Sequence, residues 1–183
     1  MKDVSPDFKW NKYDALVMEK ILRYAETPKA IRVFSNEHRG LSDYGYWFAL
    51  GTLWVSYTGW SDLGLWKRLL ASPRPKRETS LMKPSELTVF REFPECFPVY
   101  RAHRPGETDW ISYTIHPKTA AKFALRRGVS EIQEYEMSKK DALCLFLRRG
   151  EFEVLSLSPA KSVRTIQVVI AEPTVNEPLT VHA

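Results

Sequence analysis

Cysteine is scarce in this chain. Only Cys96 and Cys144 occur in 183 residues, and neither sits in a spacing that a metal site uses. A disulfide framework is therefore excluded, and reduced thiols in a cytoplasmic protein are the expectation. Cys144 falls in an apolar run read as helical, where it acts as a small buried hydrophobe. The four histidines, His38, His103, His116 and His182, are scattered. They suggest neither a metal site nor a Cys-His or Ser-His nucleophilic pair, so no metal is expected. Gly-rich phosphate loops and the dinucleotide-fold fingerprint are both missing, so any nucleotide must be bound by another architecture. The segment Met1 to Pro6 has no apolar core, which argues against a secretory signal. Internal repeats and low-complexity tracts are absent too.

Uncharged runs are short, with one exception. Tyr44 to Trp60 carries no charge over 17 positions, the lower limit for a spanning helix. Gly45, Gly51, Gly59 and several Ser and Thr interrupt it, so a buried helix or helix pair is expected, and no membrane.

What the chain has is aromatic bulk and a basic balance: 13% aromatic residues and a net charge of +5. The length suits one domain, or one with an appended subdomain, burying roughly 70% of its extended-chain surface. The charge is compatible with a nucleic-acid or other phosphate-rich partner without implying one.

Hydrophobic spacing organises the N-terminal half as helix. Tyr13, Leu16, Val17, Lys20, Ile21 and Tyr24 share a face behind an Asn11 N-cap, and Pro28 ends the run. Ile31 to Phe34 reads as a short extended piece, and Ser35 to Gly40 as a loop. Trp47, Leu50, Trp54 and Tyr57 follow helical spacing and are expected in the core; the competing reading stacks such aromatics on nucleic-acid bases. Ser72 to Arg77 reads as a solvated, Pro-rich basic linker and a candidate phosphate contact.

From Lys83 the rhythm changes to short strands and helices. Strands are predicted over Phe97 to His103, Trp110 to Ile115, Ile132 to Met137, Glu151 to Leu157 and Val163 to Ile170. A helix is predicted from Pro117 to Arg127, ended by Gly128. A second is predicted through Phe146 behind the capping-box-like Ser138-x-x-Asp141. The implied organisation is a helical, aromatic-rich region over 1–82, an α+β core over 83–172 and a polar tail over 173–183.

Three motifs fall on predicted strands in order: Val99-Tyr100-Arg101, Ser112-Tyr113-Thr114 and Glu151-Phe152-Glu153. On a strand, Glu151 and Glu153 project to one face, and two like charges there suit a cationic transition state. Arginine offers a fixed fork of donors for phosphate. Ser112 and Thr114, small and hydroxyl-bearing at alternate positions, leave room and donate hydrogen bonds.

This ordered set resembles the arginine-serine-glutamate class of mono-ADP-ribosyltransferases over roughly residues 88–158. The resemblance implies a split, mostly antiparallel sandwich of short strands around a cleft for NAD, the co-substrate. It implies Glu153 as the catalytic carboxylate, on the nicotinamide-ribose 2′-hydroxyl, and Glu151 as the acceptor-side residue. It implies Arg101 on phosphate or ribose, Ser112 and Thr114 beside the ribose, and Tyr113 or Phe123 against nicotinamide. His103, two positions past Arg101 on the same face, is a candidate pocket residue. A glycine commonly follows the family's arginine; here Ala102 stands instead, with Arg104 as a substitute anchor. Glu-x-Glu implies arginine side chains of proteins as acceptor, while the basic balance keeps nucleic-acid bases open. Transfer to a macromolecule by a small toxin or phage-conflict effector, checked by an antitoxin or inhibitor, is the functional expectation, with NAD hydrolysis as a side reaction. The alternative is a non-catalytic RNA- or protein-binding module.

Overall fold

The computed structural model describes residues 3–57, 59 and 61–168. Helices come first: α1 (Lys12–Leu22), α2 (Lys29–Glu37), α3 (Asp43–Ser56), α4 (Leu63–Leu70), α5 (Arg77–Leu81) and α6 (Pro84–Arg91). Then follow β1 (Cys96–Arg101), β2 (Ser112–Thr114), α7 (Pro117–Arg127), β3 (Glu131–Ser138), β4 (Ala142–Phe146), β5 (Glu153–Ser156) and β6 (Lys161–Gln167). The fold class is α+β, as the sequence pattern indicates.

Side-chain caps set the helix starts, as expected for Asn, Ser and Asp at N-caps. Asn11 accepts from the N–H groups of Tyr13 and Asp14, Ser42 from Gly45, and Asp62 from Leu65. Gly128, at φ +67°, ends α7 in the left-handed conformation that glycine adopts freely.

The strands form one sheet in the order β4-β5-β2-β1-β3-β6, antiparallel throughout. The expected two-sheet split is thus a single hydrogen-bonded sheet. Its central seam is narrow, however: β1 and β2 register only through Tyr100 opposite Thr114. β1 and β3, by contrast, pair over six positions from Cys96–Ser138 to Arg101–Gln133.

Strand parity sorts the two faces. Phe97, Val99, Tyr135 and Met137 point into the main core, which also takes Val17, Phe34, Trp47 and Leu50 from the helices. Ala102 and Ile132 point the other way, where Ala120 and Ala124 of α7 meet them. The N-terminal helices and the sheet therefore share one apolar core. Close approach at α3 is made by Gly51, where a Cβ would lie 2.9 Å from the carbonyl oxygen of Leu81.

Several local expectations are corrected. Ile31 to Phe34 is helical, within α2, because Ala30, Ile31 and Phe34 bury one face against α1 and α3. The run through Phe146 is strand β4, with only a short 3-10 turn at Lys139–Asp141. An apolar run without a polar face has no periodicity to distinguish the two, and pairing with β5 decides it. Cys144 is nevertheless buried there, in a strand rather than a helix. The segment 72–77 is solvated only in part: Pro73, Pro75 and Lys76 are exposed, but the segment is tied to the helices. Arg74 donates to the carbonyls of Leu41, His38 and Arg39 and stacks on Tyr46, while the Trp47 indole donates to the Pro75 carbonyl. The second strand is shorter than predicted, and β5 begins at Glu153 rather than Glu151. The predicted strand end at Ile170 and the tail over 173–183 lie outside the described residues.

Candidate active site

The three motifs meet at Ser112. Its carbonyl accepts from Arg101 Nη1 at 2.7 Å, and its hydroxyl donates to Glu153 Oε1. Sheet order explains this: β2 lies between β1, which ends in Arg101, and β5, which begins with Glu153. Thr114 is registered opposite Glu153 and Ser112 opposite Leu155, so Ser112 reaches Glu153 diagonally across the ladder. A cleft of about 520 Å³ opens here, a size typical of ligand sites.

Glu153 is half-buried at the cleft wall, with both carboxylate oxygens engaged. Ser112 holds Oε1, and the indole N–H of Trp54 donates to Oε2 at 2.8 Å. Burial pushes the pKa of Glu153 up and the neighbouring Glu151 charge adds to the rise; the hydrogen bonds from Ser112 and Trp54 and the charge of Arg101 oppose it.

Glu151 does not sit on the strand as predicted. Phe152 has a left-handed φ of +50°, so the chain turns between the two glutamates instead of alternating. The Glu151 carbonyl accepts from Thr114 Oγ1 at 2.7 Å, and its carboxylate lines the cleft beside Glu153. Both glutamates reach the same cleft, but a turn brings them there. The Phe152 ring packs edge-on against His116, with centroids 4.3 Å apart.

Arg101 is held on the other side by Glu107. The pair is bidentate, Nη2–Oε1 at 2.6 Å and Nε–Oε2 at 3.1 Å, with both side chains under 15% exposed. His103 Nδ1 lies 3.1 Å from Glu107 Oε2, and its Nε2 lies 2.6 Å from the Tyr135 hydroxyl. Burial pushes Tyr135 up to about 12, so its hydroxyl keeps its proton. Glu107 is ionised and can only accept, so His103 Nδ1 carries a hydrogen and donates to it. Burial works to raise the pKa of Glu107, but hydrogen bonds from His103 and Arg101 outweigh it and hold the carboxyl at about 2.

Two further guanidiniums stand near Arg101. Arg127, half-buried on α7, donates to the Ala102 carbonyl, and Arg104 lies in the loop after β1. Burial lowers the pKa of Arg127, and the charges of Arg101 and Arg104 lower it further. Arg101 is paired with Glu107, Arg127 feels the charge of that carboxylate, and Arg104 adds a third guanidinium to the cleft wall, so this end of the cleft is a net positive pole. Ala102, where the family commonly has glycine, packs its methyl with Ala120 and Ala124 at the wall of the cleft.

The remaining predicted residues divide. Phe123 lines the cleft, with Arg127 5.3 Å from its ring centroid. Tyr113 is 3% exposed and packs on Tyr135, its hydroxyl accepting from the Ala160 N–H. It belongs mainly to the core. The residues that sequence reasoning missed are Trp54, Glu107, Tyr135 and Arg127. Trp54 lies in a stripe expected in the core, with base stacking as the competing reading, and Glu107 in a loop read only as a connection.

Among the described residues no cluster of His, Cys, Asp and Glu could hold a metal ion, and no helix is long and apolar enough to cross a membrane. Comparison with protein-family models, curated proteins and solved structures returned no significant match.

Proposed function

We propose that the protein is an ADP-ribosyltransferase that cleaves NAD and passes ADP-ribose to a macromolecular acceptor. The observation that carries this reading is the junction at Ser112. One residue ties a half-buried carboxylate to an arginine-rich pole within a single cleft. A dinucleotide needs both, because its diphosphate is anionic and its reacting ribose becomes cationic.

On this reading Arg101, with Arg104 and Arg127 beside it, binds the diphosphate, and the nicotinamide ribose lies against Glu153. The bond from ribose C1′ to the nicotinamide nitrogen breaks, and its electron pair neutralises the pyridinium. The ribose passes through an oxocarbenium-like state, as in glycoside cleavage. Glu153, fixed from two sides, meets that charge without reorganising. The acceptor's lone pair then forms the new bond to C1′, and its proton passes to Glu151. Water in the acceptor's place gives NAD hydrolysis. The carboxylate pair favours a cationic protein side chain, arginine-like, over a base as acceptor; within the 72–77 segment Arg74 is engaged internally while Lys76 is exposed.

The test uses NAD labelled on the adenylate half, incubated with protein and lysate, then digested with protease or nuclease. Label released by protease, together with free nicotinamide, supports the reading; nuclease-released label redirects the acceptor to nucleic acid. No label and no nicotinamide defeats it in favour of a non-catalytic binding module. Glu153→Gln is expected to lose transfer and hydrolysis together, by about 100-fold or more. Glu151→Gln is expected to lose transfer while releasing nicotinamide. Wild-type turnover in Glu153→Gln would remove that residue from the mechanism.

A further inference from the structure

We infer that Trp54 is a positioning residue for Glu153, so that the N-terminal helices supply part of the reaction centre. This rests on reading Glu153 as the catalytic carboxylate. Trp54 lies in the last turn of α3, 99 positions earlier in the chain, and stands partly exposed in the cleft wall.

Three contacts distinguish it from ordinary core packing. Its N–H donates to Glu153 Oε2 at 2.8 Å, on the oxygen that Ser112 leaves free. Its ring stands edge-on to Trp66 with centroids 5.0 Å apart, and the Trp66 indole is itself anchored on Ser61 Oγ at 2.9 Å. Arg149 Nη1 donates to the Val55 carbonyl at 2.5 Å, fastening the segment just before Glu151 to the same turn of α3. Trp54 is thus braced from behind, and the carboxylate-bearing segment is tied to its neighbour.

An indole N–H can donate but never accept. It favours the ionised carboxylate and holds it in one rotamer, leaving the cleft-facing lone pairs for substrate. Ser112 alone would leave the carboxylate free to swing about that one contact.

The experiment is Trp54→Phe, which keeps a ring against Trp66 and deletes the donor. Nicotinamide release should show kcat about 10- to 100-fold lower with KM for NAD little changed, the loss expected for a hydrogen bond to a charged group. The acid limb of the kcat profile should move to higher pH, because the carboxylate loses a donor that favours its charged form. Replacing Trp54 by benzothienylalanine, which swaps N–H for sulfur in the same shape, should reproduce both effects should the phenylalanine variant fail to fold. Unchanged kcat and unchanged pH profile in either folded variant would overturn the inference. A carboxyl-carbon NMR titration of Glu153 separates this from the parent reading. If the wild type releases no nicotinamide but the Glu153 titration still rises on substitution, Trp54 positions Glu153 and the transferase reading fails. If that titration stays put, the positioning role fails whatever the activity.

Discussion

At the residue scale, the decisive side chains are those whose partners come from elsewhere in the chain. Glu107 is the clearest case. Its pKa is depressed to about 2, so it is ionised in the native protein well below the pH where an unfolded glutamate takes up its proton. The linkage sign follows: its contribution is fully present above about pH 4.5 and is lost as pH falls toward 2. The size is on the order of 3 kcal/mol for the shift of about two and a half units. Glu107→Gln should therefore flatten the acid loss of stability between pH 4.5 and 2, measured by denaturant melts across that range. At neutral pH the variant should be destabilised by about 3 kcal/mol, because Arg101 is left buried without its counter-charge. An acid limb as steep as the wild type's would show that Glu107 is not its source. Arg101, His103 and the two glutamates were legible in the sequence as chemistry-bearing residues. Their partners were not, since a loop glutamate and a tryptophan in an apolar helix carry no local mark of what they will touch.

At the element scale, α7 shows how small residues set a site. Ala102, Ala120 and Ala124 are each no more than 1% exposed, and they let the helix lie close on β1 and β3. That closeness brings Arg127 within reach of the Ala102 carbonyl and Phe123 to the cleft. Ala120→Leu should overpack this seam, costing about 1–3 kcal/mol and lifting α7 from the sheet. A lower Tm together with weaker NAD binding by calorimetry is the expected result; a lower Tm with unchanged binding would detach α7 from the site. The Pro117 start and Gly128 stop of α7 were readable because both are local backbone constraints. β4 and the start of β5 were misread because Ala142 to Phe146 is apolar on both faces, and because the left-handed turn at Phe152 leaves no signature in a residue that rarely adopts it.

At the scale of the whole molecule, the helical N-terminal part and the sheet share one apolar core. Phe34, Trp47 and Leu50 of the helices share a core with Phe97, Val99, Phe146 and Leu155 of the strands. A piece spanning 83–172 would expose that surface and lose Trp54. It is expected to show no cooperative thermal transition and to bind a dye for exposed apolar surface, while the full chain is expected to melt in one cooperative transition. A sharp transition in the fragment would mean that the sheet carries an independent core.

The order of the motifs, the helical start, the α+β class and the chemistry available to Arg101, Ser112 and Glu153 were determined by the sequence alone. They depend on residue types and short-range spacing, which are visible within a few positions. The tertiary structure decided which groups hold which: Ser112 between arginine and glutamate, Glu107 on Arg101, Trp54 on Glu153. It also decided that Ala102 faces a helix and that β4 is a strand. Each of these is settled by sheet order and by burial against distant segments. No window of neighbouring residues contains the partner whose desolvated contact makes the choice.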